Sequence, residues 1–268
     1  MKVKAIKSDK NEIFLIPIGD LHIGEKAFDK ESEEKLLGYI DWIKKNKNSY
    51  VFLMGDLINC ATLNSASNPF QQNMNLQEQI ENVVNYFKPI KSQIIGAITG
   101  NHEERLEKYC GYNPTISICD RLGIYYFGYD GIVIFRLGCH GWRSTPRASF
   151  SIYFHHTTGG GTTIGGKMNR VDRLRNIVCD ADAYCGAHNH LLGCVHTGVF
   201  KINETTEKVE FLRQMIIDTG GYISYENSYA NMKQLPPLKL GSPKIRLLIK
   251  RNEKEGKDVV RKDIHVSL

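Results

Sequence analysis

No apolar run in the 268-residue chain approaches the length needed to cross a bilayer. The opening residues, MKVKAIKSDKNE, hold no apolar region of the kind a secretory signal carries. The seven cysteines form no CxxC pair, and their odd number argues against a full disulfide framework. They read as reduced, mostly buried thiols, and the chain as a cytoplasmic protein. The string GxxxxGK[ST] is also absent, which excludes a P-loop phosphate cradle. Neither an internal repeat nor a clear linker divides the sequence. Residues 1–268 therefore read as a single domain, with a surface excursion at about 219–243 around Pro236, Pro237 and Pro243. A C-terminal hairpin is expected at about 244–267, too small to be a domain of its own. What is present suits a soluble globular protein with a sizeable core: 41% apolar and 24% charged residues. The net charge of +6 permits a polyanionic partner without demanding one.

Along the first hundred residues, apolar runs alternate with helical periodicity. Ile13 to Ile18, YVFLMG at 50–55 and SQIIGAITG at 92–100 read as buried strands. Between them, residues 30–47 place Leu36, Leu37, Ile40 and Ile43 at helical spacing. A second helix carries Ile80, Val83, Val84 and Phe87 and stops at Pro89. This alternation predicts an α/β architecture with a largely parallel sheet. The second half is richer in strands, in YYFGYDGIVIFRL, SFSIYFHH, DADAYCGAH, 194–202 and 208–218, with one helix expected over 167–179.

Polar side chains collect where those strands end. The first strand yields Asp20-Leu21-His22, the second Gly55-Asp56-Leu57-Ile58-Asn59, the third Gly100-Asn101-His102-Glu103. SIYF leads to His155-His156, and AYC leads to GAHNH, with His188 and His190 two residues apart. Strand ends are where α/β folds place ligand sites. Carboxylates, imidazoles and an amide oxygen suit borderline-hard divalent metals such as Mn, Fe, Zn or Ni. Seven such ligands are too many for one ordinary site and about right for two. Adjacent strand residues face opposite ways, so only one of His155 and His156 should point into such a site.

In this order the motifs DLH, GDLIN, GNHE, HH and GAHNH resemble those of the calcineurin-like metallophosphoesterases, over residues 13 to about 200. The resemblance implies a four-layer α/β/β/α sandwich, two mixed β-sheets flanked by helices, with a dinuclear site above the sheet edges. It implies that Asp20, His22 and His190 hold one metal ion, and that Asn101, His188 and His155 hold the other. His155 is favoured over the alternative His156 because the family usually places its ligand first in such a pair. Asp56 would bridge both ions, manganese first among them, with Fe, Zn and Ni as alternatives. His102 would stand near the departing oxygen, oriented by Asp20 or Glu103. The implied chemistry is phosphoester hydrolysis by a hydroxide shared between the metals. Asn59 departs from the pattern, since many relatives have Asp there, and Thr157 and Thr158 stand where many have proline.

Within the family, DLHIG and GDLIN resemble the double-strand-break repair exonucleases, so the expected substrate is a phosphodiester in DNA or RNA. A phosphomonoesterase and a non-catalytic binding scaffold are the other readings. Arg105, Lys167 and Arg170 are candidate phosphate-binding residues, the last two lying with Arg173 on one helix face. The Gly/Thr-rich stretch TTGGGTTIGG at 157–166 reads equally as a cleft-bordering loop or an irregular connection. Arg143 and Arg147 could extend a basic rim, while Trp142, Tyr109 and Tyr112 are expected to pack against the core. His140, His196 and His265 match no motif.

Overall fold

In a computed structural model, the chain is described over residues 1–268 except 64, 66–68, 140–146, 160, 227–230, 232–235 and 255–256. The first half comprises β1 (Lys2–Lys7), β2 (Glu12–Ile18), α1 (Lys30–Lys45), β3 (Ser49–Leu53) and α2 (Leu76–Phe87). It continues through β4 (Ile94–Ile98), α3 (Asn101–Cys110), α4 (Pro114–Leu122), β5 (Tyr125–Gly128) and β6 (Asp130–Leu137). The second half holds β7 (Ala148–His155), α5 (Ile164–Asp172), β8 (Ala183–Gly186), β9 (Leu192–Asn203) and β10 (Lys208–Thr219). The hairpin of β11 (Lys244–Lys254) and β12 (Lys257–Ser267) follows, as the sequence indicates.

Two six-stranded mixed sheets result. One runs β12-β11-β2-β3-β4-β5 and the other β1-β6-β7-β8-β10-β9. In the first, β2, β3, β4 and β5 are parallel, joined by helical crossovers that cover its outer face. In the second, β7, β8 and β10 are parallel. The period-two alternation of β2 shows why the layers form. Ile13 and Leu15 face the other sheet, while Ile16 and Ile18 face α1 and α2.

Between the sheets, Phe52 of β3 and Phe154 of β7 stack with ring centroids 3.9 Å apart, both fully buried. Behind the first sheet, Leu36, Ile40 and Ile43 of α1 pack with Ile80, Val83 and Phe87 of α2 and Ile118 of α4. Behind the second, Val171 of α5 meets Tyr153, Tyr184 and Ile216. Helix, sheet, sheet and helix make the four-layer α/β/β/α sandwich expected above.

Some boundaries differ from the sequence expectation. The helix expected over 167–179 starts earlier and gives way to a short 3-10 turn at Arg173–Asn176. Nor does the 219–243 segment run wholly over the surface. Tyr222 is fully buried, and its N–H donates to the Asp20 carbonyl at 3.0 Å. Tyr109 and Tyr112, expected in the core, are exposed. Trp142, Arg143 and His140 lie outside the described residues.

Candidate metal centre

Parallel strands put their carboxyl ends on one edge, and there the motif loops meet. Asp20 follows β2, Asp56 follows β3, Asn101 follows β4, His156 follows β7, and His188 follows β8. The loops after β2 and β3 continue to pair beyond the strands. Leu21 and His22 N–H groups donate to the Asp56 carbonyl at 2.9 and 3.0 Å, and Ile23 N–H donates to Leu57 at 3.1 Å. The backbone turns sharply at each polar residue. Asp20, His22, Asp56, His188 and His190 all have positive φ, between 48° and 81°. Non-glycine residues rarely hold that left-handed conformation, and such strain is found where the surroundings impose it at functional sites.

Close packing supplies that imposition. A Cβ on Gly100 would lie 2.2 Å from both the Asp56 backbone nitrogen and Oδ1. Glu103, fully buried, holds the loop from the other side. Its carboxylate accepts from the N–H groups of Asp56 at 3.0 Å, Leu57 at 2.7 Å, Ile58 at 3.3 Å and Gly100 at 3.1 Å. Glu103 does not orient His102 as the resemblance left open. The Asn59 carbonyl does, accepting from His102 Nδ1 at 2.6 Å, so Nε2 faces the cleft. The Asn59 role thus falls to its backbone.

Three overlapping groups converge. Asp20, His22 and His190 form one, His22, Asp56 and His102 another, and Asp56, His156 and His188 the third. Within each, the ligand atoms lie within 4.8 Å of one another. Asp56 Oδ2 sits 3.3 Å from His156 Nε2 and 3.8 Å from His22 Nε2. The Asn101 side-chain oxygen faces His156 Nε2 at 2.9 Å and His188 Nδ1 at 2.7 Å. The expectation of His155 is corrected here. His155 is the last residue of β7 and shares the face of Tyr153, towards the helix layer. His156 takes the opposite face, that of Phe154 and the inter-sheet core, where its Nδ1 meets the Met54 carbonyl at 2.8 Å.

Burial sets the charge state of these groups. Burial pushes the Asp20 carboxyl up to about 7, and its Oδ1 has no hydrogen-bond partner among the described residues. His22 Nε2 points at His190 Nε2 across 3.2 Å. Burial drives His22 well below its usual range, His190 down to about 3 and His188 to about 4. All three imidazoles are therefore neutral near pH 7, the form that ligates metals. Burial would raise Asp56, but the surrounding histidines hold it well below the carboxylate range. Burial also opposes charge on His156, yet Asp56 and Asp20 outweigh it and push it up to about 10. The donor set gathered here, two carboxylates, an amide oxygen and four imidazoles, suits a borderline-hard divalent cation.

The expected phosphate-binding residues divide. Arg105 lines the cleft, and its buried Nη1 has no hydrogen-bond partner among the described residues. Lys167 is buried, its ammonium donating to the Asn189 carbonyl at 2.8 Å, so it braces the turn between His188 and His190. Arg170 donates to the Thr158 carbonyl and supports the glycine-rich loop. That loop borders the cleft through Gly159 and Gly161, and the Gly159 backbone hydrogen-bonds the His188 ring. A carboxylate that the sequence reading passed over, Asp218, lies fully buried behind the site and accepts from the Asn189 side chain at 2.8 Å. Its signal was only an Asp at the end of an apolar strand.

A two-sheet sandwich with carboxylates and imidazoles converging on its carboxyl edge has the form of a metallo-dependent phosphatase. Residues 16–192 match the model of the calcineurin-like phosphoesterases, more than half of the chain, and the protein belongs to that family. No curated protein matches it. Among solved structures, Vacuolar Protein Sorting 29 from Cryptosporidium parvum is similar at 14% identity, with a TM-score of 0.41. That match covers 96% of this chain and 100% of the other.

Proposed function

We propose that the protein is a dinuclear metal-dependent phosphodiesterase that hydrolyses nucleic-acid phosphodiesters. The observation carrying this reading is the position of Asp56, whose carboxylate belongs to two of the three convergent groups and adjoins the third through His22. Asp20, His22 and His190 would hold one ion, Asn101, His156 and His188 the other, with Asp56 shared. Manganese leads, and Fe, Zn or Ni also suit these donors. Such a pair supplies Lewis acidity towards phosphate oxygens and a water acidified enough to attack near neutral pH.

The chain's own groups do the rest. His102, whose Nδ1–H donates to the Asn59 carbonyl, presents Nε2 to the cleft; burial favours its neutral form, so Nε2 must first take up a proton before it can pass one to the leaving oxygen. Arg105, which lines the cleft with a buried Nη1 that has no partner among the described residues, offers its guanidinium to a nonbridging phosphate oxygen. Glu103 keeps Asp56 at its station through backbone N–H groups, so the bridging carboxylate needs no rearrangement as charge develops. The resemblance of DLHIG and GDLIN to repair exonucleases supports the nucleic-acid substrate, as does the excess of basic residues.

Metal content, with turnover of bis-p-nitrophenyl phosphate against p-nitrophenyl phosphate in manganese, tests the proposal. Two ions per chain and preference for the diester are expected. Preference for the monoester would make the protein a phosphomonoesterase, and no turnover of either would make it a binding scaffold.

A further inference from the structure

The cleft has a second wall that the chemistry above does not use. Its volume is about 390 Å³, inside the range of about 300–1,000 Å³ usual for small-molecule sites. One side carries the metal-binding cluster, His102 and Arg105. The other is apolar and comes from the segment after β10: Ile223, Tyr225, Pro236, Leu238 and Leu240.

This wall is fastened directly to the metal-binding loops. Tyr222 N–H donates to the Asp20 carbonyl at 3.0 Å, and Ser224 N–H donates to the Ala27 carbonyl at 3.0 Å. Gly221 and Gly241 bridge the two ends of the segment, with Gly241 N–H on the Gly221 carbonyl at 2.9 Å. Tyr222, fully buried, bonds Ser242 through its hydroxyl at 3.1 Å. A Cβ on Gly221 would come within 3.0 Å of His190 Nδ1 and 3.3 Å of the Asp20 Cβ, so a side chain there would press on both metal-binding residues. The two ends of the segment that carries the apolar residues are therefore tied to the metal-binding loops.

A phosphate group alone gains nothing from such a surface. A flat substituent carried by the phosphate, such as the base that a nucleotide holds through its sugar, gains burial against these residues and contact with Tyr225. We infer that Tyr225 and Leu238 form a subsite for a single nucleobase of the scissile phosphodiester, and so set the specificity of the site. This rests on the phosphodiesterase reading above. It deepens that reading to a substrate presenting one unstacked base, because only an unstacked base can lay its face against these side chains.

Two esters with the same leaving group test it in the manganese-loaded full chain: thymidine 5′-(p-nitrophenyl phosphate) and methyl p-nitrophenyl phosphate. The wild type should favour the thymidine ester. Tyr225→Ala and Leu238→Ala, at melting temperatures near wild type, should each lower the ratio of the two kcat/KM values about tenfold, mainly through KM for the thymidine ester. An unchanged ratio overturns the subsite while leaving the phosphodiesterase reading intact.

Calorimetric binding of thymidine 5′-monophosphate and inorganic phosphate reads the subsite without turnover. Tighter binding of the nucleotide, abolished in the two variants, supports it, and equal affinities overturn it even where neither ester is hydrolysed. Dithymidylate and a single-stranded oligothymidylate separate the sources of the base. Rates that rise with chain length assign it to nucleic acid, and cleavage of the dinucleotide alone assigns it to free diesters.

Discussion

At the scale of single residues, neighbours in sequence have opposite fates. His155 and His156 differ by one peptide unit, yet one faces the helix layer and the other the cluster. His156→Ala should cost one metal ion per chain and exceed the roughly 10–100-fold loss that follows removal of an outer hydrogen-bonding partner. His155→Ala should leave metal content and turnover near wild type. Metal analysis of the two purified variants decides, and the reverse order would refute the assignment. His102→Ala should keep both ions and lower kcat by about 10²–10⁴-fold, as loss of a proton donor does. A drop in metal content there would move His102 into the coordination sphere. Strand alternation made the histidine pair legible as one inward and one outward residue. It could not tell which was which, because that depends on where β7 ends relative to the opposite sheet.

At the scale of elements, the site depends on how three loops lean on one another. Glu103 gathers four N–H donors, so Glu103→Gln would turn an amide N–H₂ against groups that can only donate. The expected cost is about 1–3 kcal/mol, or a melting temperature several degrees lower, with weaker metal binding. Thermal unfolding with and without manganese measures both, and an unshifted melting temperature would show that the carboxylate clamp is dispensable. Gly100→Ala should act similarly, because its Cβ meets backbone and carboxylate of Asp56 rather than a yielding side-chain tip. Overpacking of this kind costs about 1–3 kcal/mol, read in the same unfolding assay.

These relationships were only partly visible beforehand. The strands β2, β3 and β4 and the helices α1 and α2 announce themselves by apolar period. Helix α3 does not, since Glu103 is its only fully buried residue and its sequence has no apolar stripe. The role of Glu103 stayed hidden for the same reason. Three of its four partners are backbone groups on a loop more than forty residues away, and no side-chain pattern records them.

At the scale of the whole molecule, stability and site are joined through the inter-sheet core. Phe52 precedes the Asp56 turn by four residues and stacks on Phe154, two residues before His156. Phe52→Ala should therefore cost about 3–5 kcal/mol, and metal affinity should fall with it, measured together by denaturation and metal titration. Stability lost without any change in affinity would show the core and the site to be independent.

The α/β character was readable from strand–helix alternation and the four layers were implied by the family resemblance of the ordered motifs, but the path taken after β10 was not readable. Glycines and prolines mark turns without saying what the turns pack against. Pairing of β11 with β2 carries one more consequence. On a ribosome, β2 and the Asp20 turn emerge more than two hundred residues before the strand that covers their open side. During that interval an apolar edge lies bare, ready to zip onto a neighbouring nascent chain. Crowded synthesis is then a condition under which this protein is exposed to aggregation.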